Sequence, residues 1–153
     1  LGDVYKRQLL IDNQTVKEKA FLVACGNASQ YGNNAFIAPH ANIQDGKMDI
    51  TILSPFGPLD IAPLAIQLFT KQIDRNSKIK TFKGKEVTII RQNPGVMHLD
   101  GEPIMADSRI EISVLPKSLN VLTPETVSFT EEVQNLFGEV TRFFDKKLPY
   151  IFR

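Results

Sequence analysis

The chain has 153 residues, 42% of them hydrophobic and 23% charged, with 18 basic residues against 17 acidic ones. That is enough apolar material for one domain with a core, since a chain of this size buries roughly 68–70% of its unfolded surface. The near-zero charge and the apolar content argue against the disordered class, and the charge argues against a polyanionic nucleic acid as partner. Cys25 alone supports neither a disulfide framework nor a cysteine-based zinc site, and His40 and His98 are too few for a histidine metal centre. No apolar run reaches the ~20 residues of a membrane span, and no basic-then-apolar start reads as a signal peptide. A cytoplasmic protein or protein fragment is the expectation.

The opening Leu1-Gly2-Asp3-Val4-Tyr5-Lys6-Arg7-Gln8 has no initiator methionine. Asp3 to Gln8 back-translates naturally to GAT GTG TAT AAG AGA CAG, which resembles the end of a common transposase sequencing adapter read in frame. Residues 1–8 are therefore expected to be a non-native scar, with native sequence from near Leu9 and the chain a carboxy-terminal fragment.

Lys19-Ala20-Phe21-Leu22-Val23-Ala24-Cys25 is a short apolar run stopped at Gly26-Asn27, which favours a buried strand. Ser29 to Asn34 is a polar, turn-rich loop. Ala35 to Ala38 is a second short apolar piece, stopped by Pro39. Met48, Ile50 and Ile52 alternate with Asp49 and Thr51, the pattern of a half-buried strand. After Pro55, Gly57 and Pro58, the spacing of Ile61, Leu64, Ala65, Leu68 and Phe69 predicts a helix near 60–73, and Pro63 is tolerable in its first turn.

Lys80–Phe82 and Glu86–Gln92 are strand-like and parted by Lys83-Gly84-Lys85. Val96 to Leu99 leads into Asp100-Gly101, the strongest short hairpin signal. Ile110, Ile112 and Val114 alternate with Glu111 and Ser113, and Leu119–Leu122 resumes the pattern after Pro116. Many short strands with one helix indicate a mainly β protein, a sandwich or barrel. In the tail, Val133, Leu136, Phe137, Val140, Phe143 and Phe144 follow helical spacing, so an amphipathic helix is expected near 130–147.

Three clusters carry chemistry. Asp45 and Asp49 with nearby carbonyls are hard oxygen donors suited to magnesium or calcium, although spacing alone favours an Asp-Gly turn that starts a strand. Asp100 and Glu102 flank Gly101 on a tight turn. Two carboxylates this close oppose each other's ionisation, so one suits a proton acceptor and the other an orienting or metal-linked charge; a solvated hairpin turn is the alternative. The Phe-rich tail stripe suits either a membrane surface or packing on the protein body. His40 and His98 read as structural, and Cys25 as inert core.

Val23-Ala24-Cys25-Gly26-Asn27, Tyr31-Gly32, Ala38-Pro39-His40-Ala41, Asp45-Gly46-Lys47-Met48-Asp49, Asp100-Gly101-Glu102 and Leu115 to Pro124 occur in the order seen in soluble bacterial diacylglycerol kinases and YegS-like lipid kinases. The chain resembles their carboxy-terminal domain from about Phe21 to Pro124. Relatives often continue the Tyr-Gly loop with glycines, where Asn33 and Asn34 stand here.

The resemblance implies a β-sandwich, here residues 9–124; the amphipathic helical tail at 125–153 lies outside the match. It implies that Glu102 is the general base for a lipid hydroxyl and Asp100 its acidic partner. It also implies a structural magnesium on Asp45 with the carbonyls of Asn42 and Lys47. ATP would be bound by a Gly-Gly-Asp-Gly-Thr loop of an amino-terminal kinase domain that this chain lacks, so the fragment alone is expected to be inactive. The implied partners are that domain and a lipid such as diacylglycerol at the membrane surface, reached by peripheral association. Sandwich edges also admit a homodimer. A free-standing lipid-binding or interaction module and an NAD-kinase relative are the alternatives.

Overall fold

Alternation of apolar residues along short strands decides the architecture. The computed structural model describes residues 5–122, which contain nine strands and one α-helix. Strands β1 (Tyr5–Ile11), β2 (Gln14–Ala20), β6 (Glu86–Ile90) and β9 (Arg109–Ser113) form one antiparallel sheet in the order β2-β1-β6-β9. Strands β3 (Leu22–Gly26), β4 (Met48–Leu53) and β5 (Ile79–Gly84) form a second, with β4 in the middle. Among the described residues, strands β7 (Gly95–Leu99) and β8 (Glu102–Ala106) pair only with each other.

The first two sheets share one core. Leu9, Ile11, Val16, Ala20, Val87 and Ile89 from the first meet Met48, Ile50 and Ile52 from the second, with Cys25, Phe82 and Ile110 packed at the margin. This is the expected β-sandwich. The chain divides into two compact units, Leu1–Ser118 and Leu119–Arg153. Of the second, only residues 119–122 are described. They are irregular and exposed, so Leu119–Leu122 does not resume a strand. The expected tail helix near 130–147 lies outside the described residues.

Two expectations about strands change. The run from Lys19 to Cys25 is two strands: β2 ends at Ala20 in one sheet and β3 begins at Leu22 in the other, with the chain changing sheets at exposed Phe21. Strand β4 is buried on both faces rather than half-buried. Its outer face is covered by the preceding loop, where Phe36 and Ala38 are buried and the Ile37 carbonyl accepts the Thr51 hydroxyl at 2.9 Å.

A second sheet change occurs at Lys85, the single residue between β5 and β6. Here Gly84 lies so close to the β1–β2 turn that a Cβ would fall 2.6 Å from Ile11 Cγ2. Asp12, in that turn, accepts the N–H groups of Lys85 and Glu86 at 2.9 Å each. The Glu86 and Lys85 N–H groups hold the Asp12 carboxylate below its usual pKa, so this contribution to stability is present above the ordinary carboxylate range and is lost as pH falls through it.

The helix is shorter than expected. A 3-10 turn at Pro58–Asp60 leads into α1 (Ile61–Phe69), and Lys71, at φ 60°, turns the chain out of the helical path. Only Leu64 of the apolar stripe is buried, in a small cluster with Ile73 and Ile79. Ile61, Ile66 and Phe69 are exposed, because nine residues resting on the end of a sheet offer it one narrow strip.

Candidate active site

The hairpin places the first pair of carboxylates. Leu99 pairs with Glu102, leaving Asp100 and Gly101 as a two-residue turn. Their φ angles are 48° and 94°, both positive, as the type I′ turn matched to strand twist requires. Glycine adopts this freely, and aspartate is among the few side-chain residues that tolerate it. His98 Nδ1 lies 3.3 Å from the Gly101 carbonyl and braces the turn, the structural role expected of it.

Paired residues of an antiparallel ladder share a face. Glu102 therefore lies on the face of Leu99, the next pair on that face is Met97 with Ile104, and the one after is Gly95 with Ala106. Leu99 and Ile104 are exposed, Met97 half-buried, and both carboxylates open to solvent. A carboxylate at the end of an exposed apolar strip can accept a proton from a hydroxyl whose own body is apolar.

The second cluster is a cation-filled loop. Asn42 Oδ1 accepts the Gln44 N–H at 2.9 Å, and the Asn42 carbonyl accepts the Asp45 N–H at 3.3 Å. Asp45 Oδ1 accepts the Lys47 N–H at 2.8 Å. Asn42, Asp45 and Lys47 thus share one turn, as expected. The charge facing Asp45 is an ammonium: Lys83 Nζ lies 3.3 Å from Asp45 Oδ2, 3.2 Å from Asp49 Oδ2 and 3.2 Å from the His40 carbonyl.

Asp49 is buried, and its Oδ2 has the Lys83 charge nearby but no hydrogen bond of good geometry. The Lys47 N–H, then Lys83, hold the Asp45 carboxyl below its usual pKa. Burial pulls the Lys83 pKa down, but Asp49 and Asp45 outweigh it and the net shift is upward. Asp45 Oδ1 thus accepts the Lys47 N–H while Oδ2 faces the Lys83 ammonium, which occupies the place of a cation on this carboxylate. Removing the lysine should reverse this. Lys83→Ala is expected to cost about 1–3 kcal/mol by stranding a buried carboxylate, and millimolar magnesium should then raise the melting temperature of the variant but not of the wild type.

A second side-chain contact lies beside this loop. His40 Nε2 lies 3.3 Å from Asp74 Oδ2 across a cavity of about 220 Å³ that Asp49, Thr51, Thr81 and Lys83 also line.

Burial pushes the Cys25 thiol up to about 12. The unfolded thiol ionises near 9, so the neutral thiol's share of stability is intact below pH 9 and falls away above it. Iodoacetamide at pH 8 should therefore leave Cys25 unmodified in the native protein and alkylate it in denaturant.

Sequence reasoning missed Lys83, which lies 38 residues from Asp45 and was read only as part of a turn. Its one available signal was position: Asp49 and Lys83 are directly opposed in the β4–β5 register. Arg91 was missed as well, and its partners are backbone carbonyls, which leave no trace in sequence.

Two facing antiparallel sheets with a carboxylate-tipped hairpin outside them define a sandwich domain that presents acidic groups on a tight turn. Residues 4–123 match the family profile described as "YegS C-terminal NAD kinase beta sandwich-like domain", and the chain belongs to that family. A "Probable lipid kinase YegS-like" from Shewanella frigidimarina is 28% identical over 120 residues, covering 78% of this chain and 38% of that protein. A protein of the same name from Pectobacterium atrosepticum is 30% identical over 111 residues, covering 72% and 35%. The chain therefore spans little more than a third of these relatives' lengths. A crystal structure of a diacylglycerol kinase from Bacillus anthracis shares the fold at a TM-score of 0.57 and 20% identity, over 76% of this chain and 40% of that one.

Proposed function

We propose that the chain is the carboxy-terminal part of an ATP-dependent lipid kinase that phosphorylates a lipid hydroxyl such as that of diacylglycerol. The observation that carries this reading is the position of Glu102, at the tip of an exposed hairpin and on the same face as Leu99 and Ile104. In the proposed reaction the hydroxyl oxygen attacks the γ-phosphorus, the bond to the β,γ-bridging oxygen breaks, ADP leaves, and the hydroxyl proton passes to Glu102. The transition state is loose, so alignment of the hydroxyl matters more than the strength of the base. Asp100 sits beside Glu102 on the turn and orients the site. Magnesium bound with ATP supplies neutralisation of phosphate charge, and both would be held mainly by the amino-terminal kinase domain.

Leu59, Ile61, Ile66 and Phe69 give the domain a second exposed apolar face, suited to peripheral contact with a bilayer. Among the described residues no helix is long and apolar enough to cross a membrane. The cytoplasmic side is the proposed location, because ATP is there.

The test compares this chain alone with the same chain joined to its upstream coding sequence, using labelled ATP and diacylglycerol in mixed micelles. The reading expects labelled lipid only from the joined protein. No transfer by either would favour a binding module without catalysis.

A further inference from the structure

The hairpin that carries Asp100 and Glu102 has no ladder to either sheet of the sandwich. Most of its side chains are exposed. A lone two-stranded hairpin is at best marginally stable in water, so something else must fix it to the body.

Arg91 does so. It follows β6 directly and is half-buried. Its Nη2 donates to the carbonyls of Gly95, at 2.7 Å, and of Ala106. Its Nη1 reaches the Val96 carbonyl at 3.4 Å, and Nε donates to the Asp107 carbonyl at 3.0 Å. The Arg91 backbone N–H donates to the Ser108 carbonyl at 2.8 Å. Gly95 and Ala106 are the paired residues at the base of the ladder, so one planar guanidinium grips both strands where they leave the sandwich. Carbonyls on two strands and the residue after them, met by three different nitrogens, suit the rigid fork of arginine and not a single ammonium.

The consequence is a lever. Four residues of strand separate Gly95 from Leu99, about 13 Å at 3.3 Å per residue. A swing of about 10° at the base then moves the carboxylates by about 2 Å, and a misplacement of about 1 Å can cost ~10²-fold in rate.

We propose that Arg91 is a positioning residue that clamps the base of the β7–β8 hairpin and so fixes the reach and direction of Asp100 and Glu102. The clamp is independent of the enzyme's identity; its effect on rate rests on the lipid-kinase reading.

The test is amide hydrogen exchange on this chain with Arg91→Gln and Arg91→Lys. Both variants should exchange at least 10-fold faster across residues 95–106, with rates in β1, β2 and β4 unchanged. Hairpin rates equal to wild type in Arg91→Gln overturn the proposal. Equal acceleration in β1, β2 and β4 also overturns it, since Arg91 would then serve general stability. Wild-type behaviour of Arg91→Lys overturns the role of the fork. In the joined protein, Arg91→Gln should lower kcat for lipid phosphorylation by ~10–100-fold while leaving the KM for ATP unchanged. An unchanged kcat beside a loosened hairpin overturns the positioning role. A joined wild type with no lipid activity counts against the lipid-kinase reading and leaves the exchange result to judge the clamp.

Discussion

Replacing Glu102 with Gln should lower lipid phosphorylation by the joined kinase by about 10²–10⁴-fold, the usual range for loss of a general base. Glutamine keeps the size of the side chain and its place as the first residue of β8, opposite Leu99. It cannot take up the hydroxyl proton. Because Glu102 is exposed and has no side-chain partner in the hairpin, the substitution should leave the fold and the melting temperature unchanged. The loss should appear in kcat more than in the KM for lipid, since the proton moves only as the reaction proceeds. Asp100→Asn should cost less, as an orienting charge does. It keeps the positive φ of the turn, which asparagine also tolerates. Equal activity of Glu102→Gln and wild type would remove Glu102 from the chemistry.

The largest expected effect on stability lies at Ile50. It is 0% exposed, at the middle of the central strand β4, and packs with Leu9, Ile11 and Val87 from the facing sheet. Ile50→Ala removes buried methylene and methyl groups and leaves a cavity that three sheet-bound strands cannot close. The expected cost is about 2–5 kcal/mol, against a total of about 5–15 kcal/mol for an ordinary domain. Urea unfolding should show a lower midpoint with an unchanged slope, because the surface exposed on unfolding is nearly the same. Ile66→Ala, on the exposed face of α1, should change stability by less than about 0.5 kcal/mol.

Features set by neighbours in the chain were legible in the sequence. Asp100-Gly101 marked its hairpin because the two-residue turn depends on the φ preferences of those residues alone. The alternation of Ile110 and Ile112 marked β9 for the same local reason. Features set by distant segments were not legible. Asp49 and Thr51 read as a solvent face, but the loop containing Phe36 and Ala38 covers them. The β1–β2 hairpin is hard to see in the sequence because its first strand is mostly polar and charged, with Lys6, Arg7 and Gln8 ahead of Leu9. Asp100 lies on its turn, Glu102 opens β8 beside it, and Asn42, Asp45 and Lys47 share a second turn. The cation at Asp45 was not legible, because Lys83 reaches it through sheet pairing rather than through sequence.

The exposed apolar faces of the hairpin and of α1 bear on the choice of substrate. NAD is a charged dinucleotide and gains little from Leu99, Ile104, Ile66 or Phe69, whereas an acyl chain or a bilayer gains burial for each. The family's description names NAD kinase for its fold, which makes NAD the competitor to set against a lipid.

The most direct measurement is competition in one reaction. The joined protein is given labelled ATP, diacylglycerol in mixed micelles and NAD together, and the products are separated. The account predicts label in phosphatidate and none in NADP, with the phosphatidate label lost in Glu102→Gln. Label in NADP with unlabelled lipid would contradict it.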